Sequence, residues 1–481
     1  MNPISPNQDT KFPGDAPREL FDSNRLQVWR QDGTTPLVLK QYLPKPWTAK
    51  MIKYAVLRTL GFQVPVEYRP PSHRRAFECQ CLELWRQKGF EVPAEQVLPE
   101  TYVSQRPTVG LEWVQGTRLD RLLGDARCGE TEQLAVIGNV YSEMRTRHCV
   151  AIFENEHRLI HYDANSRNLI IRGAKPVHID FEMGHLNEPI DNSAAREVLK
   201  ISLQLANQSG LKRFDAVIDL LVANYGIRHI LHRIIDDIYR QKFLWYHLKK
   251  DQRRKIKKPG LITKVDVAQA LKKRLLPDPR PNAHAPSDSG LRQALETSWD
   301  GRFYQSLDDS DPRGRDMRHR YQVMRFPESF HGLSILDIGC NIGRICFDAK
   351  HRGATRAVGI DNRADVVQAM NRHYQNMGVG VELFAFDINK GVDAFRETIG
   401  ATAFDYVFAL SIWSHVDKQK LWDIINGINP AICILEDNAP SRVKSLDRIR
   451  GHLERNLNFT SIEFLGFTTD RGVRAVFRMT R

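Results

Sequence analysis

Between residues 334 and 436 the chain repeats one pattern: a short apolar run, then a stretch of helical periodicity. The runs are SILDIG, AVGID, VELFAFD, FDYVFAL and AICILED. Strands buried on both faces read as continuous apolar runs, and strand–helix alternation closes as a parallel sheet with helices on both sides. Residues 291–481 are therefore expected to form an α/β domain. A chain of 481 residues is also too long for one ordinary core. The preceding part reads differently. β-like runs (LQVWR, PLVLKQYL) lead to a helix around RRAFECQCLELWRQKGF, then to a mainly helical region from 129 to 276. That region is broken by LIHYDANSRNLIIRGAKPVHIDFE, residues 159–182, which reads as loop–strand–loop–strand. PDPRPNAHAPSDSG, residues 277–290, holds four prolines and is the expected linker. The expected organisation is a tail at 1–18, an α+β domain at 19–276, the linker, and the α/β domain at 291–481.

LDIGCNIGR, residues 336–344, follows the first of those strands and opens a helix. Gly339 and Gly343 give room for backbone to approach a cofactor, and Asn341 tolerates left-handed angles better than most residues. Asp361 ends the second strand, where it can accept hydrogen bonds from two ribose hydroxyls. Asp387 ends the third, within expected reach of an adenine amino group. Ser411, Trp413 and His415 follow the fourth at the pocket mouth. A dinucleotide dehydrogenase is the rival, but it wants GxGxxG and a helix N-terminus facing a pyrophosphate. Here the spacing is GxNxG, and Asp337 would repel a pyrophosphate while suiting the amino group of S-adenosylmethionine. The series resembles the Rossmann-like class I S-adenosylmethionine-dependent methyltransferases. Tyr304 and Arg320, in a segment that looks like the cap before the first strand, are candidates to line the pocket. His415 is the candidate general base if the acceptor is a neutral hydroxyl. A phosphate monoester is already anionic and needs none.

HYDANSRN supplies different chemistry. Transfer of a γ-phosphoryl group requires a carboxylate beside the accepting hydroxyl and oxygen ligands for Mg²⁺. Asp163 is the candidate base, with Asn168 and Asp180 (in HIDFE) the candidate metal ligands, and His161 more a buttress than a reactant. The bland alternative is a polar turn beside a β-hairpin. Lys40, ending the apolar run PLVLK, could reach the α- and β-phosphates of ATP, with Glu78 as its ion-pair partner and Glu83 a weaker rival. Leu82 and Trp85 share the face of Glu78. In VGLEWVQG, backbone groups around Glu112 to Val114 would pair with adenine and Gly116 would let the chain turn. Residues 20–250 thus resemble the bilobal protein-kinase-like superfamily, on the side of its lipopolysaccharide and small-molecule kinases. No glycine-rich loop precedes Lys40, DFE replaces DFG and no APE segment follows. These departures point away from a regulated protein kinase and towards one acting on a small or glycan hydroxyl, and they also fit a lobe that has lost catalysis.

The formal net charge of +13 favours anionic partners. It is concentrated in residues 249–274, which carry eleven Lys/Arg against Asp251 and Asp266. With Phe243, Trp245 and Tyr246, residues 243–274 read either as a solvated helix end or as a patch that docks on anionic lipid or glycolipid phosphate. Nucleic acid is a less favoured partner, since no reader motif accompanies the charge. The seven scattered cysteines imply reduced thiols and a cytoplasmic location, peripheral to a membrane at most. The start of the chain carries no apolar core of a signal peptide.

Together these readings resemble bacterial O-antigen kinase–methyltransferases, with the domain order reversed. The resemblance implies a bifunctional transferase: an ATP- and Mg²⁺-dependent kinase for a glycan hydroxyl, coupled to methyl transfer to the same glycan or its phosphate. Two alternatives stand beside it. One is a methyltransferase with a non-catalytic kinase-like binding module, the other a tRNA-modifying methyltransferase.

Overall fold

The computed structural model describes residues 18–21, 24–29, 36–44, 70–100, 102, 104–184, 188–240, 244–275, 304–307, 314–400, 403–438 and 445–481. The expected tail up to residue 17, the linker at 277–290 and the side chains of Phe243, Trp245 and Tyr246 lie outside them. Packing divides the chain into two units. The first takes residues from Met1–Arg147, His157–Asn224 and Arg254–Ile262, the second from His148–Glu156, Tyr225–Arg253 and Thr263–Arg481.

In the first unit, β1 (Arg18–Phe21), β2 (Asn24–Trp29), β3 (Leu37–Tyr42), β4 (Glu95–Gln96) and β5 (Thr108–Glu112) form an antiparallel sheet in the order β1-β2-β3-β5-β4. Helix α1 (Pro71–Gln87) begins with a proline at its first position, where the missing N–H leaves no bond unmade. It buries Arg74, Glu78, Cys81, Leu82 and Trp85, one stripe at helical spacing. A second sheet of β6 (Thr117–Arg118), β7 (Leu169–Arg172) and β8 (Lys175–His178) is antiparallel throughout. Around it come α2 (Leu119–Gly124), the residues of α3 (Glu130–Glu154) up to Arg147, α4 (Ile190–Ser209) and α5 (Phe214–Leu220).

The second unit collects α6 (Arg228–Tyr239), α7 (Leu244–Lys257) as far as Arg253, and α8 (Lys264–Leu275), which the sequence reading placed with the preceding domain. Arg228 Nη2 reaches Asp316 at 3.3 Å and the Phe153 ring lies 5.2 Å from Phe467, so these segments pack within this unit. After α9 (Met317–Met324) come the alternating elements: β9 (Ser334–Ile338), α10 (Arg344–His351), β10 (Arg356–Asp361), α11 (Ala364–Asn376), β11 (Val381–Ala385), α12 (Gly391–Ile399), β12 (Tyr406–Leu410), α13 (Lys418–Ile428) and β13 (Ile432–Glu436). The last elements are α14 (Leu446–Asn456), β14 (Ser461–Thr468) and β15 (Arg474–Thr480). The sheet order is β11-β10-β9-β12-β13-β15-β14, with β9 to β13 parallel and β15 antiparallel to both neighbours. This is the class I Rossmann-like methyltransferase topology. Strand order reverses between β9 and β12, which places a ligand crevice beyond their C-terminal ends. Among the described residues no helix is long and apolar enough to cross a membrane.

Candidate functional site

In the second unit the loop after β9 takes left-handed backbone at Gly339, Asn341 and Gly343 (φ 78°, 53° and 72°). A side chain at Gly339 would come within 2.9 Å of Ile412, and one at Gly343 within 2.8 Å of Leu383. Both glycines are therefore required by angle and by space. The loop is tied to the next strand: Gly339 and Cys340 donate N–H to Ile360 O at 2.8 and 2.9 Å, and Asn341 N–H goes to Asp361 Oδ2 at 2.8 Å. Arg363 N–H occupies Oδ1 of the same carboxylate at 3.0 Å. Burial pushes Asp361 up from the ordinary carboxylate range, and these backbone donors pull it back only in part. Each oxygen keeps a lone pair for a ribose hydroxyl. Asp337, almost wholly buried, is pushed up to about 7 by burial against the opposing pull of Arg320. Asp387 sits two residues past β11 and accepts Asn389 N–H at 2.9 Å.

Sequence reasoning missed the charged cluster at the end of β13. Glu436, with no exposure, receives Arg320 Nη2 at 3.0 Å, Arg315 Nη2 at 3.3 Å and Thr468 Oγ1 at 2.6 Å, and the Ser411 hydroxyl also donates to it. Arg474 lies 3.7 Å from Glu436 and donates to Ser411 Oγ at 2.5 Å. Arg315 also pairs with Asp470 and donates to Tyr304 Oη at 2.6 Å. Arg471 stands over the Tyr304 ring, 5.1 Å from its centroid. Burial opposes ionisation of Glu436, but Arg320, Arg315 and Arg474 outweigh it and hold the carboxyl well below the usual range. The same contest leaves the Tyr304 phenol below its ordinary value: burial raises it, and Arg315, Arg320 and Arg474 lower it further. Four guanidiniums thus gather round Glu436, Asp470 and Tyr304. Arg320, expected to line the pocket, is instead a core residue bound to Glu436. His415 is exposed at the end of a 3-10 turn, Trp413–His415.

In the first unit Lys40 Nζ lies 2.7 Å from Glu78 Oε2 and 2.6 Å from Asp180 Oδ1. Tyr42 Oη donates to the same Glu78 oxygen at 2.5 Å. Burial alone would favour neutral lysine, but Asp180, Glu78 and Glu182 reverse the sign and hold Lys40 protonated far above its ordinary value. Glu83 is exposed and accepts a bond from Gln87, so it is no partner of Lys40. Asp180 takes φ 70°, a left-handed angle that aspartate tolerates. The loop before β7 brings Asn168 Nδ2 to 3.0 Å from Asp163 O and 3.3 Å from Asp163 Oδ2. Ile179 N–H donates to Asn168 O at 3.0 Å, which ties the segment carrying Asp180, just past β8, to that loop. His161 Nε2 bonds Ile179 O at 2.9 Å, and burial with His178 holds the ring down at about 4, so it is a neutral prop.

In the expected hinge, Glu112 N–H is given to Ala94 O at 2.8 Å and its carboxylate is held by Arg172 at 2.9 Å. Gly116, at φ 150°, has no room for a side chain: a Cβ would lie 2.4 Å from Ile171 O. Among the described residues no group of three or more His, Cys, Asp or Glu could by itself hold a metal. Mg²⁺ in phosphotransfer sites takes only one or two side chains and completes its shell with water and phosphate, which Asn168 and Asp180 fit.

Residues 335–431 match the family model of a methyltransferase domain. This part of the chain is a methyltransferase domain. Its sheet order and cofactor loop are those of the S-adenosylmethionine-dependent class. Over 70 residues the chain is 30% identical to the uncharacterized protein MJ0284 of Methanocaldococcus jannaschii, a match covering 15% of this chain and 32% of that one. The chain therefore spans about a third of the length of that curated relative. Among solved structures it is similar to the magnesium protoporphyrin IX methyltransferase of Synechocystis PCC 6803, at 17% identity and a TM-score of 0.26, over 34% of this chain and 77% of the other. It is also similar to the bifunctional kinase-methyltransferase WbdD, at 19% identity and a TM-score of 0.28, over 38% and 42% of the two chains. Likenesses of that size carry no substrate or activity across.

Proposed function

We propose that the chain is a bifunctional transferase in which an ATP-dependent kinase phosphorylates a glycan hydroxyl and the methyltransferase domain then methylates that phosphate. The observation that carries the kinase half is the meeting of Lys40, Glu78 and Asp180 within 2.7 Å, beside a loop that joins Asp163 to Asn168. An ammonium held by two carboxylates from distant segments has a clear use where triphosphate oxygens must be gripped. Lys40 orients them, Asp163 takes the proton of the acceptor hydroxyl, and Asn168 and Asp180 would hold the Mg²⁺ that screens the phosphates.

The choice of phosphate over hydroxyl in the second step rests on the Glu436 cluster. Arg471 and Arg474 are its partly exposed guanidiniums, and Arg474 reaches Ser411, whose neighbour Ile412 packs on Gly339 of the cofactor loop. Guanidiniums beside the cofactor loop suit an anionic acceptor. S-adenosylmethionine supplies a methyl group on a sulfonium. Asp337, Asp361 and Asp387 would hold its ammonium, ribose and adenine, while Arg471 and Arg474 align an acceptor oxygen that needs no base. An exposed His415 then has no proton to take.

The fully exposed run Gln252–Gly260, with Ile256 74% exposed among its lysines and arginines, supports docking on an anionic glycolipid or membrane face and a cytoplasmic, peripheral location. The deciding experiment incubates the protein with Mg²⁺, labelled S-adenosylmethionine and a lipopolysaccharide extract, with and without ATP. Methyl incorporation that requires both ATP and Asp163 is expected. Incorporation indifferent to both removes the coupled scheme.

A further inference from the structure

Helix α4 faces the loop at 161–168 with one polar stripe. Glu197 Oε2 accepts the His161 backbone N–H at 2.8 Å. Lys200 Nζ meets Asp163 Oδ1 at 2.6 Å. Gln204 Oε1 accepts both the N–H and the hydroxyl of Ser166 at 2.7 and 3.1 Å, and Gln208 Nε2 donates to the same hydroxyl at 2.7 Å. Spacings of three, four and four residues keep all four side chains on one face of the helix. The helix therefore works as a rail to which the loop is fastened at alternate points.

Lys200 differs from the other members of the stripe. Glu197 is buried and locked by Arg147 at 2.6 Å, and the two glutamines are neutral. Lys200 brings a full positive charge to the carboxylate of the candidate base, and the pair is only partly covered: the side chains are 38% and 32% exposed. An ion pair so open adds little to stability. Its position is better explained by the reaction. Asp163 Oδ2 faces Asn168 and Oδ1 faces Lys200, so the ammonium and the candidate metal ligand take different oxygens of the base. Negative charge on a transferring phosphoryl group spreads over its three equatorial oxygens, and one metal side cannot neutralise all of them. Within the loop, the residue two beyond Asp163 is Asn165, which is spent on Asp163 O and the Arg167 N–H.

We infer that Lys200 is a working part of the phosphotransfer site: it fixes the Asp163 carboxylate and presents its ammonium to the phosphoryl group in flight. This rests on the kinase reading above. In the step, the acceptor hydroxyl loses its proton to Asp163 and its oxygen forms a bond to the γ-phosphorus. The bond from that phosphorus to the β–γ bridging oxygen breaks, and its electron pair leaves with ADP. Lys200 keeps its proton throughout and shifts from the carboxylate, which the transferred proton neutralises, towards the phosphoryl oxygens.

The test uses the full chain with Mg²⁺-ATP, water as acceptor, and a fluorescent ATP analogue for binding. Lys200→Met is expected to lower ADP release by about 100-fold or more, in the range of a lost transition-state donor. Binding of the analogue should stay within about threefold and the melting temperature within about 2 °C, as an exposed pair predicts. Lys200→Arg, which keeps the charge, should restore at least about a tenth of the wild-type rate. A wild-type chain that neither binds the analogue nor releases ADP would overturn the kinase reading itself. A wild-type chain that turns over ATP while Lys200→Met stays within threefold of it would overturn only the role of Lys200. So would loss of turnover, analogue binding and melting temperature together in both variants, because that is the signature of a structural residue.

Discussion

Asn341 gives its backbone N–H to Asp361 Oδ2 over 2.8 Å, so the loop after β9 is shaped by the carboxylate proposed to read the ribose. On that proposal, loop geometry and ligand contact share one side chain. Asp361→Ala should raise the dissociation constant for S-adenosylmethionine by about 10- to 100-fold, from the loss of charged hydrogen bonds of about 1.5–3 kcal/mol. Isothermal titration calorimetry checks this, and an unchanged constant would remove Asp361 from the site.

On the proposed cofactor contacts, Asp337 should make binding depend on pH. Its folded value of about 7 lies above the ordinary 3.8, so the folded form holds the extra proton between those values. The unit's stability without cofactor therefore falls as pH climbs from about 4 through 7. Affinity for a cationic amino group should rise over the upper part of that window, by up to about tenfold per pH unit, until the amino group deprotonates near 7.7–8.0. Asp337→Asn should flatten both profiles, and a wild-type affinity independent of pH from 6 to 7.5 would contradict this account.

Lys40 and Glu78 are both buried, which makes their pair unlike a surface bridge. Lys40→Met leaves Glu78 and Asp180 without their ammonium and should destabilise the first unit by about 3–5 kcal/mol. The urea midpoint of a probe in that unit reads this directly. Glu83→Gln, on the exposed face of the same helix, should leave it unchanged.

Arg474 is a part of the Glu436 cluster that solvent still reaches, with its side chain 20% exposed. Arg474→Ala should lower methyl transfer to a phosphorylated acceptor by about tenfold or more, a loss on the scale of one charged hydrogen bond of about 1.5–3 kcal/mol. Transfer that proceeds at the wild-type rate would favour a neutral hydroxyl acceptor. Glu436→Ala is a different experiment. It takes from buried Arg320 its ion-pair partner and from Arg315 one of two, and the unit is expected to lose about 3–5 kcal/mol of stability.

Reversal of charge at Lys255, Lys257 and Lys258 should abolish sedimentation with vesicles rich in anionic lipid and leave methyl transfer intact. The wild-type association should weaken steeply with added salt. Equal binding to neutral vesicles would argue against an electrostatic dock.

The sequence was most readable where period and chemistry coincide. Apolar runs ending in Asp337, Asp361 and the pair Glu436–Asp437 marked the parallel strands, because strands buried on both faces tolerate polar residues only at their ends. Lys40 and Glu78 were paired across a long stretch of chain because a strand-end lysine and a helix-face glutamate have few other uses. The Glu436 cluster was not readable. Its members come from segments near 315, 320, 411, 436, 470 and 474, and no local period links arginines that converge only after folding. Lys200 was hidden for the same reason, inside a helix whose pattern announces only amphipathicity. Packing groups residues 225–253 and 263–275 with the second unit, a grouping that no local period announces.

The order β13-β15-β14 sets a timetable for synthesis. The strand that must lie beside β13 emerges from the ribosome after the one that will sit outside it, and it carries Arg474 at its start. Until then Glu436 has Arg315, Arg320 and Ser411 to answer it, while the bond from Thr468 waits for the hairpin to dock. Methyl-transfer competence should therefore appear abruptly, once β15 has emerged, rather than grow with the length of the nascent polypeptide.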